Sequence, residues 1–220
     1  MNVLSKLTKE YLWDNIREED EIDISDLDVD IIQFKDNNGC FHGHGYRVKD
    51  GDEDKMTTTL SKLIGRIIEK RGNECDLNDI DVSNIKKMNS DSLFHNYTIG
   101  IFENSDFNGD ISGWDVSGVT DMSYMFFKAK KFNKPIGKWD VSGVEKMKYM
   151  FKFAEDFNQP LDKWDVSNVW NMDDMFRYAK SFNQDISGWN MQTTNFYEKD
   201  YYGEMFEGCP IIDKHKPKHK

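Results

Sequence analysis

A phrase that recurs along the second half of the chain constrains the fold more than any other feature. It reads SGWDVSGVTDMSYMF from residue 112, GKWDVSGVEKMKYMF from residue 137 and DKWDVSNVWNMDDMF from residue 162. Tryptophan recurs every 25 residues, at Trp114, Trp139, Trp164 and Trp189. Self-similarity at a period of this length indicates stacked coils, in which neighbouring units bury one another's apolar side chains.

The apolar positions within each unit predict a short helix followed by a strand. In the first unit, the large apolar residues from Val119 to Ala129 lie three or four positions apart, which is typical of one helical stripe. In the second, Ser142 and Glu145 have the spacing of a capping box at a helix start. The wider spacing from Phe132 to Trp139 favours an extended return segment.

These units predict an α/β fold, a curved leucine-rich-repeat-like solenoid of about five helix-turn-strand units. The solenoid should curve, because the axes of packed helices lie about 8–10 Å apart whereas paired strands lie only about 4.8 Å apart. We assign residues 76–212 to the solenoid, 1–75 to a small N-terminal α/β cap and 213–220 to a basic tail. Apolar residues from Leu60 to Ile68 share one helical face, which predicts a capping helix that ends at Gly72.

The phrases FNGDISGWDVSGVTDMSYMF, FNQDISGWN and MFEGCPI resemble the BspA-like leucine-rich-repeat family, a bacterial surface-protein repeat of about 25 residues. The likeness covers roughly Asp76 to Ile211. The resemblance implies a leucine-rich-repeat-like solenoid that binds other macromolecules. Members of that family are often secreted or attached to the surface, and some are taken as adhesins. The repeat brings no known catalytic residues with it.

The large side chains that vary between units are the candidate contact residues. We predict a partner-binding set of Tyr124, Phe127, Tyr149, Phe153, Trp170 and Tyr178. These residues lie beside or away from the apolar stripe, and contiguous exposed aromatic residues mark interfaces. The alternative is that they pack on one another between neighbouring units. The Trp and Met positions of the repeat are assigned to the core.

An acidic run near the N-terminus is a second candidate surface. Its carboxylates are Glu18, Glu19, Asp20, Glu21, Asp23, Asp26, Asp28 and Asp30. The run is either a solvated loop or edge, or an electrostatic patch that binds a basic surface or mimics nucleic acid. Because the net charge is −11, we do not expect the chain to bind nucleic acid.

The segment GCFHGHG offers the one set of metal-ligand residue types. In an extended chain Cys40, His42 and His44 point the same way, and a thiolate with two imidazoles suits zinc. The alternatives are a glycine-rich hairpin between DIIQF and GYRVKD, with solvated histidines, and a Cys–His nucleophile. No other cofactor is expected. The odd number of well-separated cysteines favours free thiols in a reducing compartment.

The chain contains no apolar run long enough to span a bilayer and no secretory signal, so we expect a cytoplasmic protein without membrane insertion. It also has no phosphate loop, nucleophile elbow or paired-carboxylate frame, so we do not expect an enzyme. The leading hypothesis is an intracellular protein-binding module with an unidentified protein partner, such as a phage- or bacterium-encoded inhibitor or adaptor. The alternatives are a surface adhesin, an acidic nucleic-acid mimic and a zinc-binding protein.

Overall fold

A computed structural model describes residues 22–35, 41–91, 98–191 and 204–218. The N-terminal part contains a three-stranded mixed sheet. Strand β1 (Val29–Lys35) pairs with β2 (Phe41–Val48) as an antiparallel hairpin, and β3 (Ile80–Asp81) adds to β2 in parallel. Further along, β4 (Asn89–Asp91) and β5 (Thr98–Gly100) form a second, antiparallel pair.

Helix α1 spans Glu53–Arg71 and covers this part of the chain. It starts at Asp52, whose side chain accepts a hydrogen bond from the Lys55 N–H at 3.1 Å. It ends at Gly72, which has φ of 85° and donates its N–H to the Ile68 carbonyl. The predicted helix and its predicted end are confirmed. Among the described residues, neither α1 nor any other helix could cross a lipid bilayer.

The predicted fold class, a leucine-rich-repeat-like solenoid of about five helix-turn-strand units, is wrong. Between residues 101 and 191 the backbone forms successive turns and isolated bridges, with neither an α-helix nor a named strand. The predicted curvature loses its basis as well, because it depended on helices and strands lying on opposite sides of each unit.

Two alternating kinds of hydrogen bond replace the predicted helix. The N–H groups of Tyr124 and Phe126 donate to carbonyls of the next coil, at Lys148 and Met150. The N–H group of Phe127, one position on, closes a turn onto the Tyr124 carbonyl at 2.9 Å. An α-helix would direct all of these donors along one segment. The three- and four-residue apolar spacing is therefore satisfied by turns that point their apolar side chains inward.

The predicted capping box is also wrong. The Ser142 N–H and hydroxyl both donate to Asp140 Oδ1, at 3.1 and 2.7 Å, so the serine closes an Asx turn and begins no helix. The predicted return strand is held in a different way. The Asn158 N–H donates to Asn133 Oδ1 at 2.9 Å, so a side chain supplies the acceptor that a strand would take from backbone.

The coils stack in parallel around ladders of aromatic rings. The rings of Phe126, Phe151 and Phe176 lie 5.4 and 5.6 Å apart and are nearly parallel. The same ladder continues to Phe102 at one end and Phe206 at the other. These rings are buried. The repeated Trp and Met side chains are buried as well, so the assignment of the Trp and Met positions to the core is confirmed. The buried cluster is continuous with the apolar side of α1.

Candidate functional site

Five of the six predicted contact residues form one continuous surface, which we call the aromatic ridge: Tyr124, Phe127, Tyr149, Phe153 and Tyr178. The ring centroids of Tyr124 and Tyr149 lie 4.9 Å apart, and those of Phe153 and Tyr178 lie 5.1 Å apart. Phe127 joins the two halves, at 6.4 Å from Tyr149 and 6.1 Å from Phe153. Each ring is half-buried. The two interpretations of these residues are therefore compatible, because the rings pack between coils and still meet solvent.

The turns of the coils place these rings on the surface. Tyr124, Tyr149, Phe153 and Tyr178 have φ between 58° and 62°, in the left-handed region. Each takes the third position of a four-residue turn, as in the turn closed by the Met125 N–H on the Met122 carbonyl. Type II turns require positive φ at that position. The same backbone conformation recurs at two turn positions of the repeat, and it directs bulky side chains outward at Tyr124 and Tyr149 in one and at Phe153 and Tyr178 in the other.

Basic side chains lie against the ridge. The Lys152 ammonium is 4.5 Å from the centroid of the Tyr149 ring, and Lys148 is 4.8 Å from the same ring. Lys128 lies 4.9 Å from the Phe127 ring. Cation–π contacts of this kind orient long lysine side chains along the aromatic surface. The ridge therefore combines apolar faces with positioned hydrogen-bond donors.

An ion cluster around one buried carboxylate lies at one end of the ridge. Asp174 is 6% exposed and forms ion pairs with Lys152 and with Arg177. The Tyr178 hydroxyl donates to Glu207 Oε1 at 2.5 Å, and Arg177 pairs with the same carboxylate. Asp174 takes the position that tyrosine occupies in the two preceding coils, so this coil has ion pairs where the other two have an aromatic ring.

Trp170, the sixth predicted contact residue, lies apart from the ridge. Its side chain is 38% exposed, and the Lys146 ammonium is 5.4 Å from its ring centroid. Among the described residues, the ring contacts that join the ridge do not include Trp170. The sequence could not separate it from the other five because all six are large, variable side chains.

An open groove of about 330 Å³ borders the ridge at Tyr124. Burial, with the nearby Tyr149 and Glu103, raises the pKa of Tyr124 to about 12, so its phenol stays protonated and can donate a hydrogen bond. All of the lining side chains are polar or charged apart from this ring: Asp54, Lys87, Asn89, Asp121, Ser123, Lys146, Lys148 and Asn171. We call this the polar groove.

Sequence reasoning missed the polar groove. Asp121, Lys146 and Asn171 are equivalent residues of successive coils, joined in that order by parallel bridges, and Lys87 precedes them in the row. The available signal was a polar residue at the same position of every unit. These polar residues lie side by side because the coils contain no helix in their described residues and stack directly on one another.

Three of the four described carboxylates of the acidic run are paired with cations. Asp26 forms a two-pronged ion pair with Arg66 at 2.6 and 2.9 Å, and the hydrogen bond from Arg66 holds the pKa of Asp26 below its usual value. Asp28 lies 3.4 Å from both Lys49 and Lys55. Asp30 lies 3.9 Å from Lys49. Three of these aspartates therefore connect the N-terminal strand region to α1 and β2.

The other five predicted acidic residues are one described aspartate and four residues that the structure does not describe. Asp23 accepts a hydrogen bond from the Ser25 N–H at 3.0 Å, which lowers its pKa. The first four carboxylates of the run, Glu18, Glu19, Asp20 and Glu21, lie outside the described residues. The nucleic-acid mimic stays a prediction for the whole of the run.

The predicted zinc ligands are only partly covered by the structure. Cys40 lies outside the described residues, and of His42 and His44 the structure describes the backbone, which is part of β2. The zinc site stays a prediction. Among the described residues, no group of three or more metal-ligand side chains converges. The two described cysteines, Cys75 and Cys209, are free thiols, and burial raises the pKa of Cys209 to about 11.

Comparison with known proteins places the repeats in a family. No curated protein and no solved structure matches the chain. Residues 96–215 match the family described as Mycoplasma protein of unknown function, DUF285. The matched segment contains the aromatic ridge and all three complete repeats. Because it covers more than half of the sequence, this chain belongs to the DUF285 family.

Proposed function

We propose that this chain is a non-enzymatic protein-binding module and that the aromatic ridge is its contact surface. The observation that carries the proposal is the run of five half-exposed rings in contact across three coils. Aromatic and arginine side chains are enriched at protein interfaces and supply much of their binding energy. The resemblance to BspA-like repeats supports the same class of function.

The ridge has the properties of a preorganised surface. Ring contacts restrict each side chain, and the turns fix the backbone from which it projects, as at Tyr149 with φ of 58°. When a partner covers such rings, the rings lose little further side-chain entropy, because they are already restricted. The lysines that lie on the ring faces add donors at the edge of the apolar strip. We expect a partner with an apolar segment bordered by carboxylates or carbonyl groups.

The test removes ridge rings without disturbing the turns. Asparagine tolerates left-handed backbone, and Asn104 already has φ of 56° in an equivalent turn, closed by the Ser105 N–H on the Phe102 carbonyl. The variants Tyr149→Asn and Phe153→Asn should therefore fold. We expect each to weaken binding of the partner about thirtyfold, because central interface residues contribute 2 kcal/mol or more.

The measurement is affinity capture with the full chain, followed by calorimetric titration of the captured protein against each variant. Trp170→Asn is the matched control, since it removes an exposed ring that is not part of the ridge. Retained binding in Trp170→Asn and lost binding in the ridge variants would support the proposal. A partner that binds both ridge variants as tightly as the natural chain would contradict it.

A further inference from the structure

We propose that the polar groove binds a short neutral saccharide, at a second site that adjoins the aromatic ridge at Tyr124. The groove has about 330 Å³ of space, at the lower end of the range for small-ligand sites. It lies where α1 meets the first coils, and its lining combines ammonium, carboxylate, amide and hydroxyl groups. The proposal goes beyond the protein-binding function and does not depend on it.

The charges of the groove favour a neutral ligand. Lys87 lies 3.3 Å from Glu53 and 3.4 Å from Asp54. Lys146 lies 3.8 Å from Asp121. Lys148 lies in the same way 3.6 Å from Asp173. Each ammonium therefore faces a carboxylate already. An anion would compete with those carboxylates and a cation with the lysines, whereas a neutral ligand displaces neither.

The lengths of these ion pairs leave room for hydroxyl groups. Charge-assisted hydrogen bonds from nitrogen to a carboxylate are about 2.7–2.9 Å long. The pairs of Lys146 with Asp121 and of Lys148 with Asp173 are longer, at 3.8 and 3.6 Å, so both partners keep hydrogen-bonding capacity. A hydroxyl donates and accepts at once and can bridge such a pair. The adjacent hydroxyls of a sugar ring can bridge several such pairs in a row.

Asp121 is fixed in position as an acceptor. Its Oδ1 accepts from Asn89 Nδ2 at 2.9 Å and from the Ser123 N–H at 2.9 Å. Asn89 and Ser123 are both buried, so this arrangement forms the floor of the groove. Oδ2, on the side of Lys146, is then available to receive a ligand hydroxyl without losing the two bonds that orient the carboxylate.

Aromatic surface adjoins this floor at Tyr124 and near Lys146. Tyr124 lines the groove, and its ring is held by Tyr149 at 4.9 Å between centroids. Trp170 is 38% exposed, and its ring contacts the ammonium of Lys146, which lines the groove. The C–H face of a sugar ring is apolar and packs on aromatic rings, which combine a large apolar area with a polar edge. Polar bridging groups beside aromatic rings suit a saccharide better than a wholly apolar ligand.

The test is a two-dimensional 1H–15N NMR titration of the full chain with maltose, lactose, cellobiose and N,N′-diacetylchitobiose at millimolar concentration. We expect at least one of them to shift the amide signals of Ser123, Lys146 and Lys148. Asp121→Asn should weaken that binding about tenfold or more, because it removes a charged acceptor. Asp140→Asn is the matched control: Asp140 accepts from the N–H of a serine two residues on, as Asp121 does, but it does not line the groove.

Two further variants keep the result decisive. If Asp121→Asn unfolds, Lys146→Gln tests the same ion pair from its more exposed side. Phe153→Asn, on the ridge, should bind the saccharide normally, which separates this site from protein binding. The proposal is overturned if none of the four disaccharides shifts the groove signals, if inorganic phosphate shifts them instead, or if both groove variants bind as the natural chain does.

Discussion

At the scale of single residues, the third position of each turn carries an unusual mixture of side chains. Equivalent positions hold Asn104, Lys128, Phe153, Tyr178 and Gly208, with φ between 56° and 68°. Left-handed backbone costs a non-glycine residue about 1–2 kcal/mol, which glycine avoids. Where phenylalanine or tyrosine takes this position, ring contacts with neighbouring coils offset the strain, and the same rings form the ridge.

Gly208→Ala should destabilise the protein by more than about 1–2 kcal/mol. Alanine would adopt the left-handed conformation at a cost, and its methyl group would overlap the Tyr178 ring, which lies against this glycine. The free energy of unfolding, measured in urea by tryptophan fluorescence, checks this prediction. Gly65→Ala in α1 is the control. There a methyl group meets open space, and helix propensity should raise the stability by about 1 kcal/mol. Equal effects of the two changes would contradict the explanation.

At the scale of the coil, side-chain amides form the hydrogen bonds between coils that the backbone of a strand was expected to form. Asn158 Oδ1 accepts from the Asn183 N–H at 3.0 Å and from Gln184 Nε2 at 2.9 Å. Asn133 Oδ1 does the same for Asn158 and Gln159 in the preceding coil. One oxygen thus fixes the register between two coils, which explains why Asn follows Phe in every unit.

Asn158→Ala should lower the free energy of unfolding by about 1–3 kcal/mol, because two donors lose their acceptor. Asn158→Asp keeps an oxygen in the same place and should lose clearly less. Urea unfolding of both variants at pH 7 checks the expectation. The contribution assigned to the acceptor oxygen is wrong if aspartate destabilises the chain as much as alanine does.

At the scale of the whole molecule, a set of turn-forming carboxylates connects stability to pH. Hydrogen bonds from the hydroxyl and N–H of Ser142 hold the pKa of Asp140 below its ordinary value of 3.8. Serine lowers the pKa of its partner carboxylate in the same way at three equivalent turns: Asp110, Asp165 and Asp185. The folded state therefore prefers these groups ionised.

This preference predicts loss of stability in acid. Because each folded pKa is depressed, the contribution is complete above the unfolded value of 3.8 and is lost as the pH falls through the lower folded values. Urea midpoints measured from pH 7 to pH 2 should change little at first and decline below about pH 4. Asp140→Asn should reduce the steepness of that decline. A midpoint that stays constant down to pH 2 would contradict the assignment.

A part of the molecule could be predicted where its local sequence pattern is compatible with only one structure. The helix was predictable because the residues from Leu60 to Ile68 have a helical stripe that ends at a glycine, and α1 ends there. The core was predictable because the repeated Trp, Met and Phe side chains must be buried in any stacked arrangement. The sequence singled out the five rings of the ridge together with Trp170, which lies apart, and it missed the polar groove; the role of the rings as contact residues stays a prediction.

The sequence by itself therefore determined the period of the coils, the identity of the core side chains and the position of α1, since each follows from apolar spacing along one segment. The tertiary structure decided the conformation inside each coil. Apolar residues three and four apart suit a helix and a series of turns equally. The choice depends on donors such as the Tyr124 N–H, which finds its acceptor, the Lys148 carbonyl, only in the neighbouring coil.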